Sequence, residues 1–186
     1  MAQAYENRTL GRVDELFPSL DPDGTIGVVY KRSGNYVTAT LTLTATVVTV
    51  TDAAGSGSYG TATLWVLPAA TRMHVLSVVQ DYTAFAEGAA LTGAAGDASF
   101  DIGVGSVAIA AAADGALATT DDDIGSEVNI TLSGGTGTGT GTSALGFITA
   151  AAGTMTLNWS GTAATIDASS TINVTGTIKI VGVMIE

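Results

Sequence analysis

The chain has no cysteine, so disulfides and thiolate metal sites are excluded and the redox compartment is left open. Basic residues are scarce: Lys and Arg number 6 against 17 Asp and Glu, for a net charge of −11. A surface this acidic repels phosphate, which argues against nucleic acid as a partner. Histidine occurs once, at His74, and proline three times. Charged residues make up 12% of the chain, about half the usual share. Low charge of this kind implies an outside covered by threonine or pressed against other subunits. No stretch approaches the ~18 apolar residues of a membrane helix. No apolar run follows Met1–Tyr5 as it would in a secretory leader. The expectation is a chain made in the cytoplasm that engages no membrane.

The 186 residues suffice for one domain with its own core. The few cations are unevenly placed. Arg8, Arg12, Lys31 and Arg32 fall within residues 1–32, whereas residues 33–186 hold only Arg72 and Lys179 against 12 acidic groups. Residues 1–24 combine mixed charge with Leu10, Val13, Phe17 and Leu20, until Pro18, Pro22 and Gly24 interrupt the spacing. They read as an N-terminal arm that docks on a neighbour, ahead of a single domain over 25–186.

What the chain has in abundance is alternation. In YVTATLTLTATVVTVT, Tyr36 to Thr51, apolar residues hold 37, 39, 41, 43, 45 and 47, and threonine holds the places between. Period two is the pattern of a half-buried strand, and β-branched threonine suits its wet face. Val47 and Val48 are adjacent, and the parity reverses there. A one-residue slip turns every later side chain to the other face, so a bulge or a corner is expected at 47–48. An unbroken strand over Val37–Val50 would span roughly 45 Å, too long for a compact domain. Further strands are predicted at Gly60–Leu67, Met73–Phe85, Ala98–Val107, Glu127–Ser133, Gly153–Ser160 and Thr171–Ile185. The last has Ile172, Val174, Ile178, Ile180 and Met184 on one face. Val181, Val183 and Ile185 turn to the other, so both faces are expected to be covered there. Short helices could form in Ala84–Ala95 and Ala108–Ala118, weakened by their glycines. Gly134–Thr142, GGTGTGTGT, reads as a flexible exposed loop unable to pack a core. The fold class is therefore all-β, an antiparallel β-sandwich, jelly-roll-like, with an extended N-terminal arm.

Chemical motifs are few. Gly55–Gly60, GSGSYG, matches a dinucleotide fingerprint, but a strand rather than a helix follows, so it reads as a hairpin loop; Gly103–Ala108 fails alike. Asp121, Asp122 and Asp123 with Glu127 lack the alternating spacing of a calcium loop and read as an acidic turn. His74 lies in an apolar strand and reads as structural, with no nucleophile motif to serve. Trp65 and Trp159 sit at strand spacing on apolar faces and read as core, although a sugar could stack on them if they were exposed. The N-x-S/T triplets at Asn7, Asn129, Asn158 and Asn173 carry no weight in so threonine-rich a chain. No catalytic residue, metal site or cofactor is expected.

Val50–Asp81 (VTDAAGSGSYGTATLWVLPAATRMHVLSVVQD) resembles a family of small virion proteins of tailed phages, and so do GALATTDDDIG within Asp97–Glu127 and TGTIKI within Thr171–Ile185. The resemblance covers residues 45–186 in outline. It implies a capsid decoration, or cement, protein, a β-sandwich or jelly roll and often a homotrimer. Its partners would be the major capsid protein and itself, and its place the surface of the phage head. It implies no catalytic residues. The arm would supply capsid anchors, with Arg8, Arg12 and Phe17 the candidates. A tail or fibre component is the alternative within the virion, and a carbohydrate-binding sandwich the alternative outside it.

Overall fold

A computed structural model describes residues 25–52, 58–67, 70–89, 99–110, 117, 120–131, 136–143, 147–149, 153–161 and 171–185. The arm over 1–24, with Arg8, Arg12 and Phe17, lies outside the described residues. Ten strands are described: β1 (Ile26–Ser33), β2 (Tyr36–Asp52), β3 (Ser58–Val66), β4 (Arg72–Ala89), β5 (Ser99–Gly105), β6 (Gly125–Thr131), β7 (Thr136–Ser143), β8 (Phe147–Ile148), β9 (Thr154–Gly161) and β10 (Thr171–Ile185). Among the described residues there is no helix. Residues 84–89, where a short helix was conceivable, continue β4.

All pairings are antiparallel, and the strands form one sheet in the order β6-β5-β9-β3-β2-β10-β4-β7, with β1 on β2 and β8 on β4. The sheet folds over on itself into a barrel-like sandwich. A chain of aromatic contacts crosses its inside: Tyr82 to Phe85 at 5.4 Å, Phe85 to Phe100 at 5.3 Å, and Phe100 to Trp159 at 5.5 Å. These edge-on and tilted arrangements are the ones aromatic quadrupoles favour. They join the inner face of β4 to those of β5 and β9, with Ile178, Ile180, Leu41 and Leu157 fully buried around them. The fold is all-β and antiparallel, as the alternation predicts.

β10 is the regular strand at the centre. Its inner residues Ile172, Val174, Ile178, Ile180 and Met184 are buried in unbroken alternation. Its neighbours absorb the irregularity. Where β10 has one residue, Thr175, β2 has two, Thr44 and Ala45, between the Leu43–Gly176 and Thr46–Val174 pairs. That extra residue is a β-bulge. Ala45 takes φ 50°, and its N–H donates to Thr175 Oγ1 at 3.1 Å. The parity therefore flips at 44–45, three residues before the predicted position. Thr46 turns inward at 3% exposed and Val47 outward at 50%. The inward Thr46 hydroxyl donates to the Thr25 carbonyl, so its burial leaves no donor stranded. β2 also stays a single 17-residue strand, longer than compactness seemed to allow. The bulge makes this possible, because beyond it β2 exchanges its neighbour β1 for β3 and enters the facing half of the sheet. β4 carries three comparable shifts against β10, and its 18 residues are accommodated in the same way.

Two elements depart further from the sequence reading. β1 escaped prediction. It pairs with β2 through the Gly34–Asn35 turn, with Gly34 at φ 61° as a two-residue hairpin loop requires. The larger correction falls within Gly134–Thr142, expected as a flexible loop, of which the structure describes Thr136 onward as part of Thr136–Ser143. It is β7, hydrogen-bonded to β4 from Val78 to Ala86. Its threonines at 138, 140 and 142 face outward and its glycines face in. A Cβ on Gly139 would collide with Ile130 Cδ1, and one on Gly141 with Val128 Cγ2. Bare backbone on β7 thus receives the side chains of β6, and the two ends of the sheet meet there.

A polar seam lies at the same place. Fully buried Gln80 accepts the Tyr82 hydroxyl proton at 2.7 Å and donates from Nε2 to the Ser126 carbonyl at 2.8 Å. The Ser126 N–H donates to Ser143 Oγ at 2.7 Å. Burial pushes the Tyr82 phenol far above its ordinary range, so it stays a neutral donor.

Candidate interaction face

Residues paired directly across antiparallel strands share a face. On the outside of β1, β2, β10 and β4 these rows bring distant residues together. One row runs Val29, Thr40, Lys179, Val79, and the next Lys31, Thr38, Val181, Ser77. The third runs Ser33, Tyr36, Val183, His74, and beyond it Ile185 meets Arg72. Tyr36 is 63% exposed and Val29 60%, with Val79, Ile185 and Leu76 also open. Val181 and Val183 are half-buried by their neighbours. The outer side of this end of β10 was predicted to be covered. Among the described residues nothing lies over it. His74, read from sequence as structural, is half-buried at the margin of this face.

The same face gathers cations. Every basic side chain that the structure describes, Lys31, Arg72 and Lys179, is exposed there. They come from three strands and meet through register alone. On a chain of net charge −11 this is a local grouping of cations, and its edge is marked by Asp81 on the neighbouring row with Thr177 and Thr42. Apolar side chains rimmed by ammonium and guanidinium groups can bury area against a partner and orient it at once.

The opposite side of the sandwich is acidic. Asp101 of β5 accepts from Asn129 Nδ2 of β6 at 2.8 Å, and Glu127 is exposed beside them. Asp123 accepts from the Ser106 N–H at 2.8 Å and its hydroxyl at 2.6 Å, while Asp122 accepts from the Glu127 N–H. The acidic turn is thus a built turn whose carboxylates face different donors. Among the described residues no three of His, Asp and Glu gather at one point. Partial burial raises the Asp123 carboxyl above the usual range, against the lowering effect of the Ser106 bonds. Asn158, buried on the outer face of β9, holds this segment down. Its Nδ2 donates to the Val107 and Asp121 carbonyls, and its Oδ1 accepts from Thr61 and from the Ile109 N–H. That leaves Val107 as an apolar knob, 52% exposed, among the carboxylates.

The remaining sequence candidates fall as follows. Trp65 and Trp159 are each 1% exposed, so neither indole presents a face to a sugar. Ser58, Tyr59 and Gly60 of GSGSYG already belong to β3, which pairs antiparallel with β2, so strand rather than helix occupies this part of the motif; Gly55–Gly57 lie outside the described residues. Gly103 and Gly105 lie within β5. The cationic face was missed as a site, because only its Val181–Ile185 portion has a local signal. No family model, no curated protein and no solved structure matches the chain.

Proposed function

We propose that the chain is a structural virion protein, a decoration protein that binds between capsomers of a tailed-phage head and stabilises the shell by contact area. The observation that supports this most is the exposed apolar, cationic sheet face, wide enough to span four strands. Association at a standard interface removes about 800 Å² per partner from water. Each Å² of apolar surface within it contributes roughly 25 cal/mol before the costs of association. The threonine-covered strands and the resemblance in Val50–Asp81 support the same reading. In this proposal the arm over 1–24 reaches the major capsid protein or a neighbouring copy, with Arg8, Arg12 and Phe17 as anchors.

The test uses heads stripped of the chain, to which purified protein is added before sedimentation. Saturable co-sedimentation at a fixed ratio to the major capsid protein is expected. Protein that stays in the supernatant at all concentrations overturns the reading. A chain starting at residue 25 tests the arm separately, and full occupancy without it rejects the role of Arg8, Arg12 and Phe17.

A further inference from the structure

The two outer sides of the sandwich are complementary to one another. One carries Lys31, Arg72 and Lys179 around exposed Val29, Tyr36 and Val79. The other carries Asp101, Asp122 and Glu127 around exposed Val107. They lie back to back, because the inner faces of β4 and β10 pack on those of β5 and β9.

We propose that the apolar, cationic face receives the acidic side of a second copy of the chain, head to tail. Charge selects this pairing over the symmetric ones. Two cationic faces brought together would set Lys179 and Lys31 against their own copies, and two acidic sides would do the same with Glu127 and Asp122. Like charges juxtaposed in an interface are disfavoured, whereas opposite fields attract and fix orientation. The head-to-tail contact also joins apolar surface to apolar surface, Val107 to the patch around Tyr36. A heterologous contact leaves one unsatisfied face at each end, so it closes as a ring or continues as a filament. It does not stop at two. The proposal uses the same face as the virion reading, with a second copy of the chain as its occupant before any head is met; self-assembly lost in a variant that still co-sediments with stripped heads separates the two.

Light scattering behind size-exclusion chromatography tests it, at low and high salt, with hydrogen exchange to verify folding. The wild type is expected at three or more times the 18.4 kDa chain mass, or as a distribution growing with concentration. Two variants alter one side each at exposed positions: Lys31→Glu with Lys179→Glu reverses the cationic face, and Glu127→Lys with Thr131→Lys neutralises the acidic side. Each is expected to dissociate, with affinity on the order of tenfold weaker per reversed charge pair. A wild type that is monomeric at every soluble concentration, or a stable dimer, overturns the proposal. So do folded variants of either kind that keep the wild-type mass.

Discussion

β10 and β7 are both period-two strands with threonine facing outward, yet they solve opposite problems. β10 turns Ile, Val and Met inward and fills the centre of the core. β7 turns glycine inward and leaves room for Ile130 and Val128 of β6. The difference shows that an inner strand face can specify a fold by what it omits. Close packing leaves no slack at either strand, so removing volume at one and adding it at the other are both penalised.

The largest effect is expected where volume is removed. Ile178→Ala, at a site with no exposure, should lower unfolding free energy by about 4 kcal/mol in urea titrations. Gly139→Val should cost about 3 kcal/mol by forcing β7 off Ile130 and Val128. A smaller loss with Gly139→Val than with Thr140→Val on the outer face would break the comparison, because β7 would then be no packed strand. Tyr82→Phe leaves buried Gln80 Oε1 without its donor beside that seam, and a loss of about 1–2 kcal/mol is expected. The outward partners are the control. Thr177→Ala and Thr140→Ala should each change stability by less than about 0.5 kcal/mol.

The smallest effect concerns pH. The Asp123 carboxyl is raised in the folded chain, so the folded state binds its proton more readily than the unfolded one. Its contribution therefore disfavours folding above the folded value and diminishes as pH falls toward the unfolded carboxylate range near ~3.9. Asp123→Asn should flatten that part of the stability-versus-pH curve, while the wild type gains at this site on acidification. A steeper acid-side loss in the wild type than in the variant would reverse the sign.

How much of this was legible in the sequence follows from where each signal resides. The inner face of β10 was readable because large apolar side chains declare it. The slip in β2 was readable in kind but misplaced, because Ala45 and Val47 extend the apolar parity past the bulge that Thr175 on another strand determines. β7 was unreadable, because glycine has no hydropathy to alternate and the complementary bulk belongs to Val128 and Ile130 on β6. β1 lacks clean alternation in IGVVYKRS, and its partner register with β2 is what identifies it. Of the interaction face, Val181, Val183 and Ile185 showed as a second apolar side. The convergence of Lys31, Arg72 and Lys179 depends on pairing across three strands and has no local signature.

In the proposed role this sheet is pressed against a shell of other proteins. Cryo-microscopy of particles produced from the genome that encodes the chain tests it most directly. The account predicts an all-β density repeated on the head lattice between capsomers. Particles whose heads lack such density, or that hold the chain at the tail alone, would contradict it.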